Sequence, residues 1–255
     1  MRHIIETGTD GATLCFFDPA ALPADFDQRM ADDPVSAFEE LQKEGRFWWH
    51  SADGDGAYLF HFYMDAEVPE EIQKHSRDPL EMARFAVPSG TIWACGAEYA
   101  ARDPQTGNAN TPKGGLGKYS HMGGRFELPP GDYGLTAWRI VWPDGMLEEQ
   151  LRNCLSKAAN RLNRLGTVLG VLFFGLMAVT VVAVVVSLAA VVAILTKGRS
   201  GLGISFLSRL WGVLLVLWAI CWPLVRLTAR LEQNPARREV EREFPSIVVR
   251  LRRIS

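Results

Sequence analysis

The chain has few of the residue groups that mark catalytic or metal-binding domains. Its 255 residues include only four cysteines, and no two of them form a CxxC pair; they are Cys15, Cys95, Cys154 and Cys221. The five histidines show neither an HExxH motif nor another paired ligand spacing, and there is no GxSxG nucleophile motif. We therefore expect no metal, no cofactor and no catalytic site, so the sequence favours a protein that is not an enzyme.

The amino terminus also lacks the features of a secretory signal. Residues 1–8 contain no apolar stretch and no cleavage site. We therefore expect the N-terminal part of the chain to stay in the cytosol, where free cysteines are the common state. A disulfide between Cys15 and Cys95 is left open at this point.

A glycine-rich segment within residues 102–124 lacks the spacing of a phosphate-binding loop. Such a loop needs glycine where Pro112 stands and serine or threonine where Tyr119 stands. We instead predict a long polar loop, and loops of this length are either mobile or functional.

Positive charge is scarce in the first 150 residues and abundant after them. The first part holds 12 Lys/Arg against 25 Asp/Glu, a formal charge of −13, whereas the rest holds 15 against 4, a charge of +11. An acidic surface repels nucleic acid, so we expect no nucleic-acid partner. It favours a basic protein partner, although acidity also serves solubility alone.

Charge is absent altogether from residues 166–195. A bilayer needs about 20 residues of apolar helix, so this run predicts one transmembrane helix, and residues 207–225 predict a second after a turn at 196–206. Eight Lys/Arg flank the outer ends of the pair and three lie at the turn, which favours both termini in the cytoplasm. The sequence therefore predicts a multi-pass protein of the bacterial inner membrane, in contact with the lipid bilayer.

The preceding part of the chain has the pattern of a β-rich domain. Strand-like segments alternate with turn residues, and one pair around Asp53-Gly54 predicts a hairpin from residues 47–50 to 57–64. A helix is predicted after Asp33-Pro34 and ends at Gly45. The predicted fold class is α+β or mainly β, sandwich-like or barrel-like, over residues 1–145, followed by the transmembrane hairpin.

Two further segments flank the predicted hairpin. Residues 146–165 place leucines at helical spacing, which predicts an amphipathic juxtamembrane helix. Residues 226–255 form a basic cytoplasmic tail that ends in a strand-like stretch at 245–251.

Residues 9–22 carry a resemblance to a bacterial family. The stretch Thr-Asp-Gly-Ala-Thr-Leu-Cys-Phe-Phe-Asp-Pro-Ala-Ala-Leu resembles the TDxATLxxFDPxxL opening of uncharacterised bacterial proteins. Asp53-Gly54 and Gly131-Asp132-Tyr133 resemble the later pattern of the same proteins, so the resemblance extends over residues 7–142. It implies no reaction, and such proteins are similar in style to immunity proteins encoded beside secreted toxins.

These observations lead to a membrane-anchored, non-enzymatic binding protein, namely an immunity protein that neutralises a protein toxin. The alternative is a membrane effector whose cytosolic domain senses a ligand and whose helices oligomerise to disrupt the membrane; a homo-oligomer is therefore also left open. Candidate partner-binding residues are the acids Glu67, Glu70 and Glu71, together with Lys113 and Lys118 of the long loop.

Overall fold

A computed structural model describes residues 1–107, 111, 113–154 and 235–254, together with isolated positions between 175 and 226. The strands of this part are β1 (Arg2–Thr9), β2 (Thr13–Phe17), β3 (Phe47–Ser51), β4 (Gly56–Met64), β5 (Ser76–Val87), β6 (Thr91–Gly96), β7 (Gly123–Glu127), β8 (Gly131–Ile140) and β9 (Ile247–Arg253). Its helices are α1 (Phe26–Asp32), α2 (Pro34–Lys43), α3 (Glu70–Gln73), α4 (Met146–Cys154) and α5 (Pro235–Glu241).

The chain divides into two compact units, and the strands all belong to the first. Residues 1–144 and 242–255 form the β-rich unit, and residues 145–241 form the second. A five-stranded sheet has the order β1-β4-β9-β8-β5, and a four-stranded sheet has the order β3-β2-β6-β7. The strand-like stretch near the C-terminus, which was predicted to lie in a basic tail, forms β9. It is the middle strand of the larger sheet.

Alternation of side chains along the strands builds one core between the sheets and one on each outer face. In β2, Leu14 and Phe16 point into the cluster shared by both sheets, whereas Cys15 and Phe17 point to the opposite face. Phe16 meets Phe62 edge to face, with the ring centroids 5.3 Å apart. This two-sided burial explains why the strand has an unbroken apolar run.

Helices α1 and α2 cover the outer face of the four-stranded sheet. Asp33 accepts the backbone N–H of Ser36 at 3.2 Å, and Pro34 occupies the first helical position, so the start of α2 is fixed by its sequence. Phe38 is buried and stacks on Phe47 of β3 at 5.1 Å. The helices are therefore attached to the sheet by aromatic side chains.

The hairpin predicted around Asp53-Gly54 is wrong. β3 pairs with β2 in the four-stranded sheet, whereas β4 pairs with β1 and β9 in the other sheet. The turn therefore carries the chain from one sheet to the other. Turn residues specify a change of direction, and the pairing partner is chosen by burial of the side chains on both faces.

The transmembrane hairpin is also wrong as an element of this fold. Among the described residues no helix is long and apolar enough to cross a membrane; the longest, α2, has ten residues, against about 20 for a bilayer. Most of residues 166–195, 196–206 and 207–225 lie outside the described residues. An apolar run indicates only that a segment avoids water.

The predictions of an inner-membrane location, of both termini in the cytoplasm and of a bilayer partner depended on that hairpin and are corrected with it. The membrane-effector alternative needed the same two helices, so it is not retained. Of the helix predicted over residues 146–165, the structure describes Met146–Cys154, which is helical; the remainder lies outside the described residues.

The cysteine pair gives a first prediction. Cys15 and Cys95 lie opposite each other in β2 and β6 with their Sγ atoms 3.7 Å apart, and both are fully buried free thiols. Burial raises the pKa of the Cys15 thiol well above its usual value. In a C154S/C221S variant, which keeps only this pair, we expect a thiol reagent to react with the native protein at least about tenfold more slowly than with the urea-unfolded chain. Rapid labelling of the native variant would contradict the burial.

A buried histidine gives a second prediction. His61 is fully buried in β4, and its Nε2 donates to the carbonyl of Arg242 at 2.7 Å. Burial lowers the pKa of His61 to about 4. The unfolded chain binds the proton near pH 6.5, so stability is lost as pH falls from about 6.5 to 4, by up to roughly 3 kcal/mol.

Urea unfolding at several pH values tests this linkage. We expect the H61Q variant to lose most of the acid slope, because the titrating group is gone. The H121Q variant removes an exposed imidazole and serves as the matched control. An unchanged slope in H61Q would contradict the assignment.

Candidate functional site

The three predicted acidic contact residues lie near one another but are paired with cations. Glu67 forms ion pairs with Arg250, at 3.2 Å, and with Arg252 of β9. Glu70 and Glu71 stand in the first turn of α3, 3.9 and 3.1 Å from the Lys74 ammonium. Ile72 of the same helix packs on the outer face of the five-stranded sheet. Their charge is therefore largely offset locally.

The two predicted lysines lie on the other side of the β-rich unit. Lys113 is 3.5 Å from Asp10, and Lys118 lies over the ring of Tyr119 at 5.4 Å. Leu116, between them, packs in the cluster on the outer face of the four-stranded sheet. The structure therefore does not bring the five predicted residues together into one site.

The glycine-rich loop packs against itself. The backbone N–H groups of Leu116 and Gly117 donate to the carbonyls of Pro104 and Gln105, each at 2.8 Å. A Cβ atom on Gly115 would lie 2.2 Å from the backbone carbon of Thr106. Glycine is needed here for close approach of two backbone segments, which gives the glycine-rich composition a structural cause.

The residues of the TDxATLxxFDPxxL resemblance support the scaffold. The hydroxyl of Thr9 accepts the N–H groups of Gly11 and Thr13 at 3.1 and 3.2 Å, which closes the β1–β2 turn. Asp18 is fully buried, and its carboxylate accepts from the N–H of Ala20 at 2.9 Å and from the hydroxyl and N–H of Ser89, both at 2.7 Å. These contacts fix the two turns that flank β2.

A buried tyrosine supports the β1–β2 turn. Tyr99 is almost fully buried, and its hydroxyl donates to Asp10 at 3.3 Å. Burial, assisted by the charge of Asp10, raises the pKa of Tyr99 to about 12. The phenol therefore stays protonated at neutral pH and acts as a hydrogen-bond donor to the turn.

The first candidate for partner contact is the outward face of α1 and α2, which we call the acidic surface. Residues 25–44 contain only two cations, Arg29 and Lys43, beside the carboxylates of Asp25, Asp27, Asp32, Asp33, Glu39, Glu40 and Glu44. Exposed pairs join Arg29 to Glu40 and Lys43 to Glu39. Val35, in the first turn of α2, is 53% exposed.

The second candidate is a cleft of about 520 Å³ with two guanidinium groups, which we call the arginine cleft. Arg46 and Arg84 line it together with Asp132 and small residues of the Pro19–Ala21 turn, of β5 and of β8. Nε of Arg84 donates to Asp132 at 2.8 Å, and Nε of Arg46 lies 3.3 Å from Glu44. The cleft is thus a polar site with both signs of charge.

Backbone contact at one glycine positions the two arginines. Gly45 has a φ of +71°, and a Cβ there would lie 2.2 Å from the backbone oxygen of Arg84. The N–H of Ala86 donates to the carbonyl of Gly45 at 2.7 Å. Arg46 follows Gly45 directly, so its backbone is held beside that of Arg84.

A smaller cavity of about 180 Å³ lies at the end of the sheets beside His50, Tyr58 and Arg139. Arg139 faces two carboxylates there, Asp53 at 2.6 Å and Asp78 at 4.0 Å, so its charge is offset. Burial, and then the charge of Arg139, lowers the pKa of His50. Over the described ranges, no three His, Cys, Asp or Glu side chains are grouped so that they could hold a metal ion.

Comparison with known proteins gives little. No protein-family model matches the chain, and no curated protein matches it. A solved structure described as crocagin biosynthetic gene J is 13% identical, with a TM-score of 0.38, over 59% of this chain and 82% of that one. ComJ of Bacillus subtilis, an inhibitor of the DNA degrading activity of NucA, is 15% identical, with a TM-score of 0.29, over 55% and 81%. Scores this low carry no argument about function.

The glycine contact in the arginine cleft gives a third prediction. A G45A substitution forces a left-handed backbone and a clash with Arg84, so it should lower the free energy of unfolding by about 2 kcal/mol or more. A G54A substitution is the matched control, because a Cβ at Gly54 meets nothing within 4 Å. Urea unfolding of both variants measures the difference, and equal stabilities would contradict the close approach.

Proposed function

We propose that the protein is a non-enzymatic binding protein of the inhibitor or immunity type, and that it occludes a protein partner with a basic surface. The observation that carries the proposal is the acidic surface, where seven carboxylates face two cations on residues 25–44. Like charges at this density repel one another, and a basic partner relieves that repulsion.

The anchoring of the helices supports a binding role. Phe26 and Leu41 are fully buried and Phe38 is nearly so, and all three belong to the cluster that covers the four-stranded sheet. A surface fixed in this way is ordered before it meets a partner. Association then costs less conformational entropy than it would for a flexible acidic segment.

The exposed valine of α2 offers an apolar contact beside the carboxylates that precede it in the chain. Val35 follows Pro34 in the first turn of α2, and 53% of the residue is accessible to solvent. Protein interfaces combine an apolar centre with a polar rim. Charges at the rim steer the encounter, and the apolar contact slows dissociation.

Inhibition by occlusion needs such a surface and no chemistry. An immunity protein covers the active part of a toxin and releases no product. Neutralisation of a toxin is therefore the specific role we propose, with the partner defined by its basic surface.

The test uses the full chain and the proteins encoded beside it in its genome. Each neighbour is expressed with and without the chain, and cell survival identifies a toxin that the chain neutralises. Association and dissociation rates with that toxin are then measured by surface plasmon resonance between about 50 and 500 mM salt, a range over which screening suppresses steering.

Charge position is tested by two triple variants of equal net charge. D25N/D32N/E39Q removes three carboxylates of the acidic surface, leaves Glu44 beside Arg46 intact, and should lower the association rate several-fold at low salt, since steering charges act on association. E70Q/E71Q/E81Q removes the same charge elsewhere and should change it little. V35S should raise the dissociation rate instead. Equal effects of the two triple variants, or association that ignores salt, would refute recognition by this surface.

A further inference from the structure

We infer that the arginine cleft binds a small polyvalent oxyanion, either a phosphate ester or a polycarboxylate. This site uses cations; it shares Glu44 with the acidic surface but does not rest on the binding role proposed there. It would make the protein responsive to a small ligand as well as to a protein.

The two guanidinium groups still have donors to offer. Arg84 uses Nε for Asp132, and Arg46 uses Nε toward Glu44. Within the described part of the chain, the Nη1 and Nη2 atoms of both residues make no hydrogen bond. On each arginine, Nη1 and Nη2 form a planar fork that can donate to two oxygens of a carboxylate or phosphate.

The neighbouring carboxylates explain why the ligand should be polyvalent. Asp132 offsets part of the charge of Arg84, and Glu44 offsets part of the charge of Arg46. An anion with a single charge therefore gains little from the site. A ligand with several acidic oxygens can engage both forks at once, and each additional charge-assisted hydrogen bond strengthens binding. Arg84 and Asp132 are 61% and 31% exposed, so water also weakens their pairing.

The remaining walls set the size of the ligand. Ala20, Ala21, Ala86 and Gly131 line the cleft and leave open the volume of about 520 Å³. Pockets of this size hold small organic molecules. Asp18 fixes the wall formed by the Pro19–Ala21 turn through its hydrogen bonds to Ala20 and Ser89. Gly45 fixes the wall that carries Arg84, through close backbone approach. The backbone that carries the two arginines is therefore fixed by packing, which lowers the cost of ordering the site on binding.

Ligand binding is tested by titrating the full chain at low ionic strength. Isothermal calorimetry and amide chemical shifts are the two readouts of the titration. The probes are inorganic phosphate, citrate and acetate. We expect saturable binding of phosphate or citrate with a Kd on the order of 1 mM or below, and acetate at least about tenfold weaker. The stronger of phosphate and citrate shows which class of oxyanion the cleft prefers.

Four substitutions locate the site. R46Q and R84Q should each weaken binding at least about fivefold. R46K should bind with an affinity between those of R46Q and the unmodified chain, because lysine keeps the charge without the fork. D132N should strengthen binding, since it removes a competitor for Arg84. R77Q removes one exposed cation from the same strand and should leave binding unchanged.

Thermal melting tests whether each variant is folded. If R84Q is unfolded, the comparison of R46Q with R77Q decides the result. The inference is overturned if neither phosphate nor citrate binds saturably up to roughly 50 mM, a concentration that detects even weak sites. It is equally overturned if R46Q and R77Q weaken binding alike, or if D132N weakens it.

Discussion

The pairing of β9 with β4 and β8 is the contact on which the rest of the structure depends. Ile247–Arg253 lies parallel to β4 and antiparallel to β8, and without it the five-stranded sheet would separate into two pairs of strands. Val248, Val249 and Leu251 are fully buried, so the strand contributes to the cores on both faces of the sheet. The chain must therefore leave the β-rich unit after residue 144 and return by residue 242.

This pairing also determines which charges are available for recognition. Arg250 and Arg252 of β9 hold Glu67, and the acids of α3 hold Lys74. Such exposed pairs contribute little to stability, but they reduce the local excess of negative charge. The acidic surface on α1 and α2 has fewer cations to offset it. Charge density, and not the total charge of −13 on residues 1–150, therefore distinguishes that surface from the rest of the unit.

The turn residues of the bacterial resemblance and the arginine cleft are physically connected. Asp18 belongs to the TDxATLxxFDPxxL stretch, and its buried carboxylate holds the Pro19–Ala21 turn against Ser89. That turn is one wall of the cleft. The residues of the stretch therefore shape the cleft, whereas the charged groups of the cleft are Arg46, Arg84 and Asp132.

Local features were determined by the sequence. The strand-like segments predicted at residues 47–50, 57–64 and 245–251 correspond to β3, β4 and β9. Asp33, Pro34 and Gly45 determine the limits of α2, because capping and backbone restriction act within a few residues. The acidic excess is likewise a property of composition.

Tertiary structure alone decided which strands pair and which side chains meet. Residues 47–51 and 56–64 look like a hairpin, yet they enter different sheets, because Phe47 of β3 packs outside the four-stranded sheet and Tyr63 of β4 packs outside the five-stranded sheet. A charge-free run predicts avoidance of water and cannot by itself specify what surrounds it, which is why the transmembrane hairpin was wrong. Arg46 and Arg84 are 38 positions apart in the chain, and only the contact of Gly45 with the backbone of Arg84 brings them to one cleft.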